Sequence, residues 1–397
     1  MSARMTGLLS RTIAPPFHRL LDRIDAGLAS GGIEARLPDG THRLLGGRAP
    51  GPVPIVTIVR WRALLRLATE GSVGWYRAWE AGEWSSPDPV PLFDLFMRNR
   101  TSLGGTARAG GIPRAALRHW HRLRRNDRGG ARRNIADHYD LGNDFYREWL
   151  DACLTYSSAI YDRGDTLETA QQRKLDAILA RTATRPGETI LEIGCGWGSF
   201  AATAAAAGRK VHGLTLSTEQ KAAVDARGLP GVLVSLTDYR DVTGSYDAVA
   251  SIEMVEAVGQ AYWPAYVDTL ARVLKPGGRV ALQYISIADD IFERYANGVD
   301  FIQRYIFPGG MLLSESRFRA LCEERGFAWT DRHGFGLDYA QTLRHWRERF
   351  DNADKAGRLP ARLDARFRDL WRYYLMYCEG GFRGGGIDVA QVTLIKA

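Results

Sequence analysis

The sequence predicts an α/β protein with a doubly wound, mainly parallel sheet, preceded by a smaller α+β domain. From about residue 134 onward, short apolar runs alternate with helical patterns, as in ETILEIG, KVHGLTLS, GVLVSLT, YDAVASIE and GGRVALQYISI. Such runs indicate buried parallel strands joined by helices that cover the sheet. Before residue 105 the pattern differs, because IEARLPDGTHRLLGG alternates apolar and polar residues around a Pro-Asp-Gly turn. That segment predicts a β-hairpin.

The remaining N-terminal segments indicate a further strand and helices. IVTIVRWRALLRLATEG changes from a strand-like to a helix-like period, and DPVPLFDLFMRNR has the pattern of a short amphipathic helix. We therefore expect an N-terminal domain at 1–105, a Gly- and Arg-rich linker at 106–133 and a larger domain at 134–397.

Composition excludes several classes of protein. The 397 residues are 45% apolar and 25% charged, which suits a globular chain of two domains. The four cysteines form no CxxC pair, so we expect neither a zinc ribbon nor a disulfide framework, and the reducing cytosol fits. No metal-ligand pattern stands out. No run of eighteen apolar residues occurs, and the N-terminus does not resemble a signal peptide, so we expect a cytoplasmic protein.

The predicted linker concentrates positive charge. The net charge is +8, and eight arginines lie between Arg114 and Arg133, with Trp120 among them. One interpretation is a solvated helix face, and the other is a basic amphipathic segment that contacts phosphate groups. Phospholipid headgroups fit the second better than nucleic acid does, because Trp beside basic residues suits a bilayer interface and no nucleic-acid-binding signature is present. We therefore expect peripheral association with an anionic membrane surface.

A glycine-rich turn is the strongest local motif. In LEIGCGWGS a predicted strand ends at Glu192 and Ile193, and Gly194, Gly196 and Gly198 lead into an Ala-rich helix. Small residues let a ligand approach the backbone, and the helix start offers free N–H groups. A dinucleotide site would also need a carboxylate at the end of the next strand, but LTLS has none, so NAD is disfavoured.

This turn resembles that of S-adenosylmethionine-dependent methyltransferases, which carry E/D-x-G-x-G-x-G between strand and helix. LKPGGRVAL resembles a later part of the same sheet. The resemblance implies a class I methyltransferase fold, with Asp238 and Tyr239 near the adenine of the cofactor. Ser217 and Gln220 have two open interpretations, an ordinary helix cap or cofactor contacts.

Longer motifs resemble the cyclopropane-fatty-acyl-phospholipid synthase family over nearly the whole chain. In order they are HYDLGNDFYREWLD, TYSSAIY, LEIGCGWGSFA, GLTLSTEQ, DYRD, SIEMVEAVG, FIQRYIFPGG, GFGLDYAQTL and YLMYCEGGFRGGGIDVAQ. The resemblance implies an S-adenosylmethionine-dependent enzyme that methylates the double bond of an unsaturated phospholipid acyl chain. It makes 134–397 the catalytic domain and 1–105 a lipid-associated or regulatory domain. The implied cofactor-binding residues are Tyr139, Tyr156, Ser157, Glu192, Gly194, Gly196, Gly198, Thr215, Ser217, Gln220, Asp238 and Tyr239.

The family's base site is altered in this sequence. Members that close a cyclopropane ring hold bicarbonate as a base, and by resemblance Glu256 and Tyr339 match two residues of its cage. Ser158 stands where the cage has Cys, and Gln283 where it has His. Since neutral Gln replaces a residue that can be cationic, bicarbonate is a doubtful cofactor here. Glu256 is then the expected base, acting directly or through water.

The altered cage favours a methyl- or methylene-branched product over a cyclopropane. Cyclopropane synthesis remains the first alternative, and N-methylation of a small amine, as in related plant-type enzymes, is the second. A non-enzymatic membrane or nucleic-acid binder is a third, which the intact glycine turn disfavours. A carbocation intermediate would suit an aromatic cavity, for which FIQRYIF, LDY and YYLMY are candidates. Homodimerisation and a partner reductase for a methylene product stay open.

Overall fold

Residues 14–104 and 141–397 are described by a computed structural model of the chain. The predicted linker at 106–133, its arginine cluster and Tyr139 lie outside the described residues. Within these two ranges, no helix combines the length and apolar content needed to cross a bilayer. The described side chains also contain no group of three or more His, Cys, Asp or Glu residues placed to hold a metal ion.

The chain divides into two units. The first comprises Met1–Leu123, Asp290–Ile306 and Arg362–Gly386, and the second comprises Arg124–Asp289, Phe307–Ala361 and Ile387–Ala397. The predicted larger domain at 134–397 is therefore not continuous, because two of its segments group with the N-terminal residues. The sequence pattern could not reveal this grouping, since it depends on contacts between segments that lie far apart in the sequence, such as Arg100 and Asp290.

A four-stranded sheet organises the first unit, in the order β2-β1-β3-β4. The predicted hairpin is confirmed, with Gly32 paired to Gly46 and Arg36 to His42. The strands are β1 (Gly32–Arg36), β2 (His42–Gly46), β3 (Ile55–Ile58) and β4 (Trp84–Ser85). The helices are α1 (Pro15–Gly27), α2 (Arg62–Glu80) and α3 (Val90–Arg98) from the N-terminal segment, with α9 (Asp289–Ala296), α10 (Phe301–Tyr305) and α13 (Ala365–Arg383) from the later ones.

Aromatic packing holds the later segments in the first unit. The ring of Tyr76 on α2 lies 4.9 Å from that of Phe301 on α10 and 5.1 Å from that of Tyr373 on α13. Phe93 on α3 lies 5.3 Å from the ring of Tyr373. A Cβ at Gly384 would lie 2.6 Å from the carbonyl oxygen of Asp94, so α13 and α3 touch through backbone. The rings of FIQRYIF and YYLMY at 301–305 and 373–377 thus form part of this core.

The second unit contains the predicted doubly wound sheet, in the order β10-β11-β9-β8-β5-β6-β7. Strands β5, β6, β7, β8 and β9 are parallel, and β11 runs antiparallel to both β9 and β10. The bounds are β5 (Thr189–Ile193), β6 (Lys210–Thr215), β7 (Val232–Leu236), β8 (Tyr246–Ile252), β9 (Leu274–Ile287), β10 (Phe327–Gly334) and β11 (Ile387–Lys396). Strands β10 and β11 were not predicted from the sequence.

Helices of the second unit cover this sheet. They are α4 (Asn143–Arg147), α5 (Leu167–Thr182), α6 (Ser199–Ala206), α7 (Thr218–Asp225), α8 (Trp263–Val273), α11 (Glu315–Glu324) and α12 (Gly336–Lys355), with two 3₁₀ turns at Val255–Ala257 and Gln260–Tyr262. One core cluster packs α5 and α6 on the central strands, through residues that include Ile178, Ile190, Phe200, Ala248 and Ala281.

The strand order places a crevice at the centre of the sheet. Strands β6 and β7, which follow β5 in sequence, lie on one side of it in the sheet, and the next strand, β8, lies on the other side. Ligands of open α/β sheets bind outside the carboxyl ends of the strands at such a reversal. The glycine turn follows β5, and SIEMVEAVG includes the end of β8, so both motifs lie at this point.

Candidate active site

The glycine turn after β5 has positive φ angles at its three glycines and is hydrogen-bonded to β6. Gly194, Gly196 and Gly198 all have positive φ angles, of 83°, 52° and 79°. The amides of Gly194 and Cys195 both donate to the carbonyl of Leu214 on β6, at 3.0 and 2.9 Å. A Cβ at Gly194 would lie 2.7 Å from Cγ of Met254, whereas a Cβ at Gly196 would meet no atom within 4 Å. The turn therefore has one packed glycine and one that faces open space.

Glu192, near the end of β5, has one carboxyl oxygen without a partner in the described part of the chain. The residue is buried, and its Oε2 atom has no hydrogen-bond partner among the described residues. Burial raises the pKa of this carboxyl to about 8, while the charge of Lys174 acts in the opposite direction. A buried oxygen without a donor fits a ligand with hydroxyl or ammonium groups. Glu192 and the open glycine thus fit the predicted S-adenosylmethionine.

At the end of β6, the three predicted cofactor residues bind one another. The side chain of Ser217 accepts from the amide of Gln220 at 3.2 Å, so it caps α7. Thr215 Oγ1 donates to Gln220 Oε1 at 2.7 Å and accepts from the amide of Ser217 at 3.1 Å. The helix-cap interpretation of Ser217 is confirmed. A cofactor role for these residues stays a prediction.

Asp238 and Tyr239 follow β7, on the same side of the glycine turn as β6. Arg240 donates to both oxygens of Asp238, at 2.8 and 2.6 Å, so this carboxylate is already paired. The guanidinium of Arg240 also lies over the ring of Tyr239, 5.3 Å from its centroid. Tyr239 in turn contacts Tyr266 edge to face. Among these residues, the half-buried ring of Tyr239 is the better candidate to contact an adenine.

The stretch TYSSAIY passes through the site, held by helix α5. Gln171 donates to the carbonyl of Ser157 at 2.8 Å, and Lys174 donates to Ser157 Oγ at 2.6 Å. Lys174 is fully buried, and desolvation lowers its pKa to about 8 although Glu253, Asp151 and Glu192 oppose this. Neither Gln171 nor Lys174 was among the residues predicted for the site. Their spacing could have indicated a role, because Gln171, Lys174 and Arg181 place three polar side chains on one face of a helix.

Glu253 is the carboxylate at the centre of the predicted base cage. It accepts hydrogen bonds from the amide of Ser158, from Gln283 Nε2 and from the hydroxyl of Tyr339, each at 2.8 Å. Its φ of 50° is unusual for a non-glycine residue and turns the chain just after β8. The structure therefore brings three of the four predicted catalytic residues together, around an acid that was not among the predicted site residues.

Glu256, the predicted base, lies beside the cage and makes other contacts. One of its oxygens accepts from the amide of Ile285 on β9, and the other, Oε2, is buried without a hydrogen-bond partner among the described residues. Burial, and then the charge of Glu253, raise the pKa of Glu256 to about 8. Burial also raises the pKa of Glu253, although its three donors and Lys174 oppose the shift. Glu256 is therefore protonated more readily than a solvated glutamate.

Aromatic rings connect the cage with the glycine turn. Tyr339 lies 6.0 Å from Trp346, and Trp346 lies 5.4 Å from Tyr156, measured between ring centroids. Tyr146 continues the series, at 5.7 Å from Tyr156 and 4.9 Å from Trp197 in the turn itself. Of the rings proposed from the sequence for a cavity, Tyr339 belongs to this series and Phe307 lies 6.4 Å from Tyr156, measured between ring centroids. Electron-rich rings of this kind can stabilise a nearby cation.

Comparisons with known proteins agree on one family. Residues 126–392 match the family described as mycolic acid cyclopropane synthetase. The tuberculostearic acid methyltransferase UfaA1 of Mycobacterium tuberculosis is 37% identical over 98% of this chain and 93% of its own. The cyclopropane-fatty-acyl-phospholipid synthase of Escherichia coli K12 is 38% identical over 66% of this chain and 67% of its own.

Solved structures extend the comparison to the fold. Mycolic acid cyclopropane synthase CmaA1, complexed with SAH and CTAB, is 31% identical with a TM-score of 0.63, covering 67% of this chain and 98% of that one. Coclaurine N-methyltransferase bound to N-methylheliamine and SAH has a TM-score of 0.61 at 19% identity, covering 78% and 94%. The second likeness concerns the fold alone, which is the predicted class I methyltransferase sheet.

Proposed function

The chain belongs to the mycolic acid cyclopropane synthetase family of S-adenosylmethionine-dependent methyltransferases, and we propose that it adds a methyl-derived carbon to the double bond of an unsaturated phospholipid acyl chain. The proposed product is methyl- or methylene-branched rather than a cyclopropane. The relative named a tuberculostearic acid methyltransferase, which matches nearly the whole chain, supports this product class. The relative named a cyclopropane-fatty-acyl-phospholipid synthase makes ring closure the second candidate.

The residues at the sheet reversal would hold the cofactor. Gly196 leaves room for it, Glu192 offers a free carboxylate oxygen, and Tyr156 and Ser157 lie on the adjoining stretch. S-adenosylmethionine, when bound, supplies a methyl group as an electrophile. An alkene is a weak nucleophile, so the site's main contribution to this step is to position the acyl chain and exclude water.

Loss of a proton then decides the product. Addition of the methyl group leaves a carbocation on the acyl chain, next to which the rings of Tyr339 and Trp346 can stabilise the charge. Glu253 takes the proton, and the electrons of the broken C–H bond form a carbon–carbon double bond. If a hydride first moves from the methyl-bearing carbon to the cationic carbon, loss of a proton from the new methyl group gives a methylene branch. Loss of a proton from a neighbouring chain carbon gives a methylated alkene, and loss from the methyl group without the hydride shift closes a cyclopropane. Conversion to a saturated methyl branch would need a separate reductase.

One observation carries this proposal, the position of the Glu253 carboxylate. By family resemblance, Ser158, Gln283 and Tyr339 stand where other members hold bicarbonate. Here the main-chain amide of Ser158 and the side chains of Gln283 and Tyr339 donate to Glu253, while the Ser158 hydroxyl donates to the carbonyl of Ala159. A second anion at this point would lack donors and would be repelled by the carboxylate. We therefore propose that Glu253 replaces bicarbonate as the base.

The product can be tested directly. Purified protein is incubated with vesicles of monounsaturated phospholipid and S-adenosylmethionine labelled with ¹³C in the methyl group, and the released fatty acids are examined by NMR. Methylene and cyclopropane products have the same mass, but the label appears as an alkene carbon in one and as a ring carbon in the other. A cyclopropane as sole product contradicts the proposal. Turnover on small amines without turnover on lipid would favour N-methylation.

A further inference from the structure

A chain of side-chain hydrogen bonds runs from Glu253 to the edge of the second unit. Gln283 on β9 donates from Nε2 to Glu253 Oε1 at 2.8 Å. Gln391 on β11 donates from Nε2 to Gln283 Oε1 at 3.0 Å, and Arg181 on α5 donates from Nε to Gln391 Oε1 at 3.1 Å. Both glutamines are fully buried. Three elements distant in sequence thus converge on one carboxylate.

The chemistry of the end groups fixes the direction of this chain. A guanidinium can only donate, so Gln391 must turn its oxygen to Arg181 and its NH₂ group to Gln283. Gln283 then accepts with its oxygen and turns its own NH₂ group to Glu253. Two carbonyl acceptors agree with this orientation, because Gln391 Nε2 also lies 3.3 Å from the carbonyl oxygen of Lys174, and Gln283 Nε2 lies 3.3 Å from that of Ser158.

Arg181 is itself held in place. Its Nη1 atom donates to the carbonyl oxygen of Asp331 at 2.6 Å and to the carboxylate of Asp331 at 2.8 Å. The same atom lies 3.3 Å from Thr393 Oγ1. Asp331 lies at a register shift between β10 and β11, with a φ of 55°. The side chain of Arg181 is only 10% exposed, so its guanidinium is ordered by partners and not by solvent.

We propose that Arg181 is a positioning residue for Glu253, acting through Gln391 and Gln283, and this inference rests on the proposed role of Glu253 as base. If either amide reversed, Gln283 would turn its oxygen toward Glu253, and two acceptors could face each other only with a proton between them. A glutamate that holds a proton cannot accept another from the acyl chain. The fixed direction of the amides therefore keeps Glu253 ready in its ionised form.

Three other groups around Glu253 also affect its protonation, and a test based on the pH dependence of turnover must take them into account. Lys174 on α5 favours the ionised carboxylate, Glu256 in the 3₁₀ turn disfavours it, and Tyr339 on α12 donates to it. None of these groups changes when the hydrogen-bond chain is cut at Arg181 or at Gln391. Because Arg181→Met removes a positive charge and Gln391→Glu adds a negative one, the neutral variant Gln391→Met is measured beside them, and a shift in the pH dependence of turnover that it shares reports the orientation of Gln283.

Two substitutions interrupt the series of hydrogen bonds from Arg181 to Glu253 in different ways. Arg181→Met removes the donor that sets its direction, and Arg181→Lys restores a donor-only cation. Gln391→Glu keeps the size of the side chain and its pairing with Arg181, but it removes the NH₂ group that binds Gln283. A purely structural role for Arg181 predicts that Gln391→Glu is tolerated, whereas our proposal predicts that it is impaired. Arg173→Met is the matched control, since Arg173 lies on the same helix and pairs with Asp165 at 2.8 Å.

The measurement is kcat on unsaturated phospholipid vesicles across pH, with S-adenosylmethionine binding measured by calorimetry. For Arg181→Met and Gln391→Glu we expect the acid limb of the kcat profile to move up by about one pH unit, so that kcat below the limb falls roughly tenfold. Cofactor binding stays unchanged, Arg181→Lys recovers most of the loss, and Arg173→Met matches the parent. Unshifted profiles in both variants would overturn the inference.

Glu253→Gln is measured in parallel to separate the two proposals. If Glu253→Gln retains full turnover, Glu253 is not the base and the proposed function is contradicted. If Glu253→Gln is inactive while Arg181→Met and Gln391→Glu keep the parent profile, only the positioning role is contradicted. If Arg181→Met fails to fold, Gln391→Glu and Arg181→Lys still decide the outcome, because both retain a partner for the anchor at Asp331.

Discussion

Glu253 and Glu256 are three residues apart, yet their surroundings give them different chemistry. Glu253 faces three donors, whereas one oxygen of Glu256 has no partner in the described part of the chain. The resemblance matched the second glutamate to the family's cage, and the first was overlooked because its position depends on the left-handed turn after β8. A side chain's direction at such a turn cannot be taken from the strand pattern, which predicts only alternation between two faces.

Substitution of each glutamate should separate their roles. Glu253→Gln keeps the volume of the side chain but removes the proton acceptor, so we expect kcat on unsaturated phospholipid to fall by roughly a hundredfold or more. Glu256→Gln is the matched control and should lose far less activity. Turnover assays with labelled S-adenosylmethionine measure both. A larger loss for Glu256→Gln would return the base role to Glu256.

Replacement of Glu253 by glycine offers a complementary test. Glycine accepts the φ of 50° without strain and leaves three donors, from Ser158, Gln283 and Tyr339, around an empty space. We expect added formate or bicarbonate to restore part of the activity in Glu253→Gly and to leave the parent unaffected. Assays in degassed buffer with added anion measure the effect. Stimulation of the parent by bicarbonate would contradict the replacement of that ion by Glu253.

The stability of the fold should also depend on Glu256. Its pKa is raised to about 8 in the folded protein, so the folded state binds this proton more tightly than the unfolded chain does. The contribution of Glu256 to the free energy of unfolding is therefore fully present below pH 4.5 and is lost as the pH rises toward 8. Glu256→Gln should remove this loss, so at pH 8 its free energy of unfolding should exceed that of the parent by up to a few kcal/mol. Urea unfolding at pH 5 and pH 8 measures the difference, and equal pH dependence would refute it.

At the scale of secondary structure, the glycine turn and five parallel strands were predictable, because each depends on a local pattern. The turn lies between β5 and α6, and Gly196 faces open space as the motif implied. The role of α5 was not predictable. Gln171, Lys174 and Arg181 form a polar face within a helix of ordinary composition, and their partners lie on β9, β11 and TYSSAIY, which meet only in the folded chain.

Alanine substitutions at two glycines can test the turn. Gly196 and Gly187 have positive φ angles of 52° and 88°, and a Cβ at either would meet no atom within 4 Å. Both substitutions should cost about 1 kcal/mol of folding stability, because alanine disfavours this backbone region. Only Gly196→Ala should also weaken S-adenosylmethionine binding, since its methyl group enters the space proposed for the cofactor. Equal affinities for the two variants by calorimetry would contradict that site.

At the scale of the whole molecule, association with an anionic membrane remains a proposal based on charge. The arginines between Arg114 and Arg133 lie outside the described residues, and the net charge of the chain is +8. Charges that contact headgroups are screened by salt, so we expect binding to vesicles that contain anionic lipid, weakening as salt increases. Vesicle co-sedimentation measures this, and binding that ignores salt would contradict a headgroup role.

A charge-matched comparison can locate the contact. Replacing Arg122, Arg124, Arg125 and Arg128 with glutamine should weaken vesicle binding and reduce its dependence on salt. The matched variant replaces four exposed arginines elsewhere, at Arg60, Arg163, Arg185 and Arg319, and so removes the same net charge. If both variants lose the same affinity, the total charge of the protein matters and not the predicted linker.

The first unit is assembled from three separate stretches of the chain, and this limits how the gene can change. Tyr76 and Phe93 come from the N-terminal stretch, while their ring partners Phe301 and Tyr373 are encoded beyond the glycine turn. A deletion of the first hundred codons would remove the rings of Tyr76 and Phe93 that pack against those two residues. Recombination at a single point in the gene therefore cannot exchange the N-terminal part for a foreign one without matching changes far downstream, so the two parts are expected to be inherited together.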